Sequence, residues 1–159
     1  MKQPILVLDL EFRGNGSIRD IGVAFVIQYK KGRVKASRPD HHNLIKIGEE
    51  PPKYKLREAC EILKNMGTQE MMWASWGTSD RHELKKQTDD LGLEMPVGYF
   101  HIDIAPMYAA LFNLDRPIRL KAAAEQLTGR FIGSQHHADD DSFNAARILA
   151  ELINRFDRS

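Results

Sequence analysis

Three features of this sequence predict an α/β domain with a mixed, five-stranded sheet flanked by helices. Strand-like segments separated by turns fill the chain from Ile5 to beyond Val34. Short apolar strands then alternate with helical stretches. The chain closes on an amphipathic helix from Asp141 to about Phe156. At 159 residues, 42% hydrophobic and 28% charged, it has the size and mixture of one globular domain spanning residues 1–159.

Residues 5–12 are apolar on both faces until Asp9 and Glu11, which reads as a buried strand. Arg13-Gly14-Asn15-Gly16 turns the chain into a second strand over residues 18–29, rich in β-branched side chains. Lys30-Lys31-Gly32-Arg33 is another turn, and Val34 starts a more polar edge strand, completing an antiparallel meander. After Pro51-Pro52, residues 53–66 place Leu56, Ala59, Cys60 and Leu63 at helical spacing. Residues 71–76 form a fourth strand, residues 80–91 a helix and residues 99–102 a fifth strand. Asp103 is placed to cap a helix running towards Phe112. Residues 120–127 form a further helix closed by Gly129, and Asp139 or Asp140 is placed to cap the last one.

Several function classes are disfavoured. No apolar run approaches the roughly 20 residues of a membrane span. The stretch Ile5-Leu6-Val7-Leu8 is interrupted by Asp9 too soon for a signal peptide. A single cysteine, Cys60, permits neither an internal disulfide nor a zinc ribbon, and a reducing, cytoplasmic setting is expected. With 23 Lys and Arg against 22 Asp and Glu, net charge is +1, so any grip on nucleic acid must be local.

Carboxylates carry the chemical signal. Asp9 and Glu11 lie two apart on a strand and so emerge on one face. Two anions at a buried strand end repel each other and call for a cation, for which oxygen ligands suit magnesium or manganese; at a solvated strand end they would need none. Asp141 stands at the head of the stripe Ala145, Ile148, Leu149, Leu152, which aims it inward, although it could instead join a multi-aspartate cap. His136, on the loop before that helix, can swing over the same spot, and a neutral imidazole can take a proton from water; His137 competes for the role. Asp80 ends Trp76-Gly77-Thr78-Ser79-Asp80, a strand end, a turn and a helix start, where it could equally be a cap.

Together these residues resemble the DEDDh (DnaQ-like) 3′→5′ exonuclease superfamily, and within it the ERI-type branch. Asp9-Leu10-Glu11-Phe12 is similar to the first exonuclease motif, Ser75-Trp76-Gly77-Thr78-Ser79-Asp80 to the second, and His136-His137-Ala138-Asp139-Asp140-Asp141 to the third. The ERI-type likeness is carried by Asp140 to Ile148, by His101-Ile102-Asp103-Ile104 and by Leu120 to Leu127. One departure is a segment from Glu49 to Met72 shorter than the helical insertion usual there, which bears on length preference and on coverage of the groove.

The resemblance implies an RNase H-like fold and stepwise hydrolysis from a free 3′ end of single-stranded RNA or DNA, RNA favoured, releasing nucleoside monophosphates. It implies two Mg2+ ions, with Mn2+ able to substitute, on Asp9, Glu11, Asp80 and Asp141, and His136 as general base. Leu10, Phe12, Trp76 and His136 are the expected substrate contacts, although Phe12 and Trp76 could as well belong to the core. A DNA-directed proofreading, trimming or phage exonuclease is the nearest alternative, and a noncatalytic regulatory module on the same fold is another.

Overall fold

The computed structural model describes residues 3–48 and 54–156; Pro51, Pro52 and Lys53, expected at the entry to the first helix, lie outside that range. Its strands are β1 (Ile5–Phe12), β2 (Ile18–Gln28), β3 (Val34–Ser37), β4 (Leu44–Lys46), β5 (Trp73–Ser75) and β6 (His101–Asp103). Its α-helices are α1 (Leu56–Asn65), α2 (Thr78–Asp90), α3 (Ile104–Leu111), α4 (Leu120–Thr128) and α5 (Ala138–Phe156). The sheet runs β3-β2-β1-β5-β6, with β4 also paired to β2. The first three strands form the expected antiparallel meander, while β5 and β6 run parallel to β1.

The sheet therefore has six strands among the described residues rather than the expected five. The addition, β4, holds only Leu44, Ile45 and Lys46, too few for a two-residue period to show, and it exists because Ile21 offers a partner to Ile45. Other elements are shifted at their ends. β6 starts at His101, leaving Tyr99 and Phe100 outside the ladder and largely exposed, and α2 starts at Thr78 rather than Asp80. Glycine in the left-handed region ends α4 at Gly129, as expected (φ 84°).

Period-two alternation splits the core into two layers. Val7, Ala24, Val26 and Ala74 pack against Ile104, Tyr108, Ala123, Ala145, Ile148 and Leu149 of α3, α4 and α5. On the opposite face Leu6, Leu8, Leu10, Ile21, Val23 and Trp73 pack against Ala59 and Leu63 of α1 and Leu84 of α2. Asp9 and Glu11 share the parity of Val7, so they point to the layer that holds α5.

What brings α5 to them is Gly22. It sits directly opposite Asp9 in the β1–β2 ladder. A β-carbon there would lie 1.8 Å from the carbonyl oxygen of Ala138 and 2.7 Å from the amide of Asp139. The first turn of α5 thus rests on bare backbone, the close approach that only glycine permits. Gly22→Ala is expected to force the helix end off the sheet and lower Tm by roughly 2–12 °C, the usual range for overpacking in a domain of this size. Gly14→Ala, where an added methyl meets nothing within 4 Å, serves as the control and should change Tm little. Equal melting temperatures for the two variants would contradict this seating.

Candidate metal centre

Three elements deliver the carboxylates. β1 supplies Asp9 and Glu11. α5 supplies Asp141, 8% exposed, whose Oδ2 accepts the backbone N–H of His136 at 2.9 Å. α2 starts on the other face of the sheet, yet its first turn brings Asp80, also 8% exposed, back to the end of β1, where the Leu10 backbone hydrogen-bonds its carboxylate. Asp80 is therefore not the cap of α2, a place held by Gly77 without a side-chain bond. Asp139 and Asp140 also differ from expectation: they lie inside the first turn of α5, and their carboxylates bond Arg38, with Asn43 adding a 3.4 Å contact to Asp139. Asp103 occupies the N-cap position of α3 but makes no side-chain cap bond, and its Oδ1 is buried without a hydrogen-bond partner.

His136 stands at the mouth of this group with its side chain 85% exposed and its Nδ1 4.0 Å from Glu11 Oε1. One ring nitrogen of His136 and one oxygen each from Glu11 and Asp141 fall within 4.8 Å of one another. The backbone of His136 is left-handed (φ 61°), a conformation costing a non-glycine residue of order 1–3 kcal/mol, which persists where surrounding bonds enforce it. His137 instead neighbours Asp139 and Asp140, a pair whose charge the Arg38 guanidinium offsets in part.

The electrostatics separate these two acidic groups. Burial first, then the charges of Asp80, Asp141 and Glu11, hold the Asp9 carboxyl well above its ordinary value. Burial, Glu11 and Asp103 push Asp80 up to about 7 despite the opposing bond from Leu10. Burial is also the main cause for Asp141, raised to about 6. Asp140 goes the other way: burial alone would raise it, but the Arg38 and Ser134 hydrogen bonds outweigh that and hold it below the usual carboxylate range.

Asp9 Oδ2 is buried with no hydrogen-bond partner among the described residues. A carboxylate oxygen without a donor, facing other carboxylates, has the donor set a hard divalent cation requires. The structure brings ligand atoms of Glu11, Asp141 and His136 within 4.8 Å of one another, while Asp9 and Asp80 join them through their charges and lie outside that closest cluster.

The expected substrate contacts fall in different places. Trp76 packs partly on the core and lines a cleft of ≈ 660 Å³ with Pro117, Ile118, Arg119, Leu120, Gln135, His136 and Asp141. Phe12 lines another cleft with Gly16, Glu83, Lys86 and Gln87. The Leu10 side chain is 5% exposed and belongs to the core under α1 and α2, so what it offers the centre is its backbone. Sequence does not mark Arg119 or Gln135, because nothing local shows that a polar side chain outside the motifs faces a cleft.

No family profile matches the sequence, and no curated protein does. Solved structures do share its fold. A full-length 3′-exonuclease superposes with a TM-score of 0.65 at 16% identity, covering 96% of this chain and 60% of that one. A 3′-exonuclease described in 3′-end-specific recognition of histone mRNA stem-loop gives 0.66 at 15%, over 96% and 82% of the two chains. The nuclease domain of 3′hExo, a DEDDh family member bound to rAMP, gives 0.64 at 16%, over 96% and 91%. The chain thus shares the RNase H-like fold seen in the nuclease domain of a DEDDh family member, and it spans about 60% of the length of the full-length 3′-exonuclease.

The raised carboxyls make stability depend on pH in a definite direction. A carboxyl raised in the fold contributes stability that is full below its unfolded value of 3.8 and lost as pH rises through its folded value, about 7 for Asp80 and about 6 for Asp141. Without divalent cations the protein should therefore melt lower at pH 8 than at pH 5. Asp80→Asn should raise Tm at pH 8 by roughly 5–10 °C, a few kcal/mol, with a smaller gain at pH 5. Magnesium should raise the parent's Tm chiefly at the higher pH. A parent whose Tm is insensitive to both pH and magnesium would contradict this description.

Proposed function

We propose that the chain is a 3′→5′ exonuclease of the ERI-like DEDDh branch, removing nucleoside monophosphates from single-stranded nucleic acid with RNA favoured. The observation that carries this reading is Asp9: half-buried, with its Oδ2 fully buried and lacking a hydrogen-bond partner, and held among the charges of Asp80, Asp141 and Glu11, with His136 Nδ1 4.0 Å from Glu11. Two Mg2+ ions, or Mn2+ in their place, are the proposed cofactors, held by Asp9, Glu11, Asp80 and Asp141. When bound, such a pair neutralises the pocket, polarises the scissile phosphate and stabilises the leaving 3′ oxygen.

The chain's own residues supply the rest. His136, tied through its amide to Asp141, holds its imidazole at the pocket mouth, where it takes the proton of the attacking water. The cleft beside it offers apolar walls for a terminal base in Trp76, Ile118 and Leu120, and Arg119 for a phosphate. Phe12 offers a second stacking surface on the α2 side. The RNA preference rests on the ERI-like sequence around Asp103 and Asn144, and on similar structures, one described in recognition of a histone mRNA stem-loop and one bound to rAMP. A reducing, cytoplasmic site of action is proposed from the single cysteine, Cys60, which is a buried free thiol; among the described residues no helix is long and apolar enough to cross a membrane.

His136→Ala should lose roughly 10²–10⁴-fold in rate, the usual worth of a general base, whereas His137→Ala should lose little. The rate should fall on acidification, because the base must be neutral and because protons compete with cations for Asp80 and Asp141. Strands of one sequence, as RNA and as DNA and labelled at either end, should shorten stepwise from the 3′ end with RNA at least as fast. Equal losses in the two histidine variants would remove the assignment of the base. A strong DNA preference would favour a proofreading or trimming enzyme, and no turnover with either metal would favour a noncatalytic module.

A further inference from the structure

In sequence Arg38 is the last of a run of cations, Lys30, Lys31, Arg33, Lys35 and Arg38, that reads as a solvated turn. The structure separates it from the others. Its Nη2 donates to Asp140 Oδ1 at 2.7 Å and its Nη1 to Asp139 Oδ2 at 3.3 Å. The guanidinium also lies 4.7 Å over the ring of Phe143, with its side chain 30% exposed. A flat cation wedged between a ring and two carboxylates of α5 is held in one orientation, and it holds them.

The oxygen of Asp140 that Arg38 leaves free is not idle. Asp140 Oδ2 accepts the backbone N–H of Ser134 at 2.9 Å. The residue before, Gly133, is left-handed (φ 83°), and a β-carbon there would lie 2.1 Å from that same oxygen, so the loop backbone is pressed onto the carboxylate. Two residues after Ser134, the His136 amide donates to Asp141 Oδ2 at 2.9 Å. The entry to this loop is fixed separately: Asn144 accepts from the Ile132 amide at 3.0 Å and donates to its carbonyl at 2.8 Å. Between Ile132 and the helix, therefore, the path of the chain is set by two neighbouring carboxylates. One is a member of the metal centre, and the other is oriented by Arg38.

We infer that Arg38 is a positioning residue: by orienting Asp140 it fixes Ser134 and Gly133, and so sets where the loop presents the His136 imidazole. This rests on the reading of His136 as the base. Arg38 itself touches no reacting atom. Without it, the Asp140 carboxylate can rotate away from Ser134, and the loop loses one of its two ties. The site carboxylates are untouched by that change, so cation binding and substrate affinity should survive while proton transfer suffers.

Arg38→Ala, Arg38→Lys and Asp140→Asn test this with two readouts. In the cation-free protein, amide hydrogen exchange at Ser134 and His136 should quicken by about tenfold or more in Arg38→Ala, with amides of β1 and β2 unchanged. With magnesium and a labelled strand, kcat should fall roughly 10–100-fold, the usual effect of losing a group that orients a ligand or base, with KM within about twofold. Arg38→Lys, which keeps the charge but not the two-pronged contact, should recover part of both effects. Asp140→Asn should show the same kcat-selective loss as Arg38→Ala. Unchanged exchange at Ser134 and His136 in Arg38→Ala would overturn the inference. So would faster exchange spread evenly over the whole chain, which would mark Arg38 as a general stabiliser. A parent protein without turnover would remove the nuclease reading, and the exchange data would still decide whether Arg38 holds the loop.

Discussion

The seating of α5 on the bare backbone of Gly22 is the contact on which the rest of the site depends. The sheet alone would present Asp9 and Glu11 to solvent at the end of β1. Because Ala138 can rest against Gly22, opposite Asp9 in the ladder, the first turn of α5 closes over them and sets Asp141 beside Asp9. The same contact starts the loop of His136 at the pocket mouth. The cost falls on Asp9, which loses water without gaining a donor for Oδ2.

Two acidic groups meet at this helix end, and the fold treats them differently. Asp139 and Asp140 receive a guanidinium, and Asp140 also receives an amide. Among the described residues Asp9 receives no donor at Oδ2, although that oxygen is buried. Selective compensation of the outer pair leaves the inner set uncompensated, and on the proposed reading a divalent cation there would let a chain of net charge +1 address a polyanion through a single pocket.

Much of this was legible in sequence wherever the information is periodic. Asp9 and Glu11 two apart on a strand, and Asp141 at the head of the stripe through Ala145 and Ile148, declare their faces without reference to the rest of the chain. The meander, the helices and Gly129 as a helix end follow from the same short-range chemistry. What stayed hidden is long-range. β4 is a three-residue strand made by its partner β2. Arg38 reads as one cation of a basic turn because Asp139 and Asp140 stand 101 and 102 residues away. Asp80 reads as a helix cap because its partner is a backbone amide on the far side of the chain. Leu10, taken from the motif as a substrate contact, is a core side chain because strand alternation turns it away from its two acidic neighbours.

On the proposed reading, Asp9 Oδ2 is buried without a donor because a cation is meant to meet it. Calorimetric titration with Mn2+ of the parent and of Asp9→Asn, at two pH values on either side of about 7, addresses that reading directly. The parent is expected to bind two ions per chain with release of protons, more protons at the lower pH, because raised carboxyls must ionise to bind. Asp9→Asn is expected to stay folded and lose at least one of the two ions. Equal stoichiometry and affinity in the two proteins would contradict the assignment of this centre.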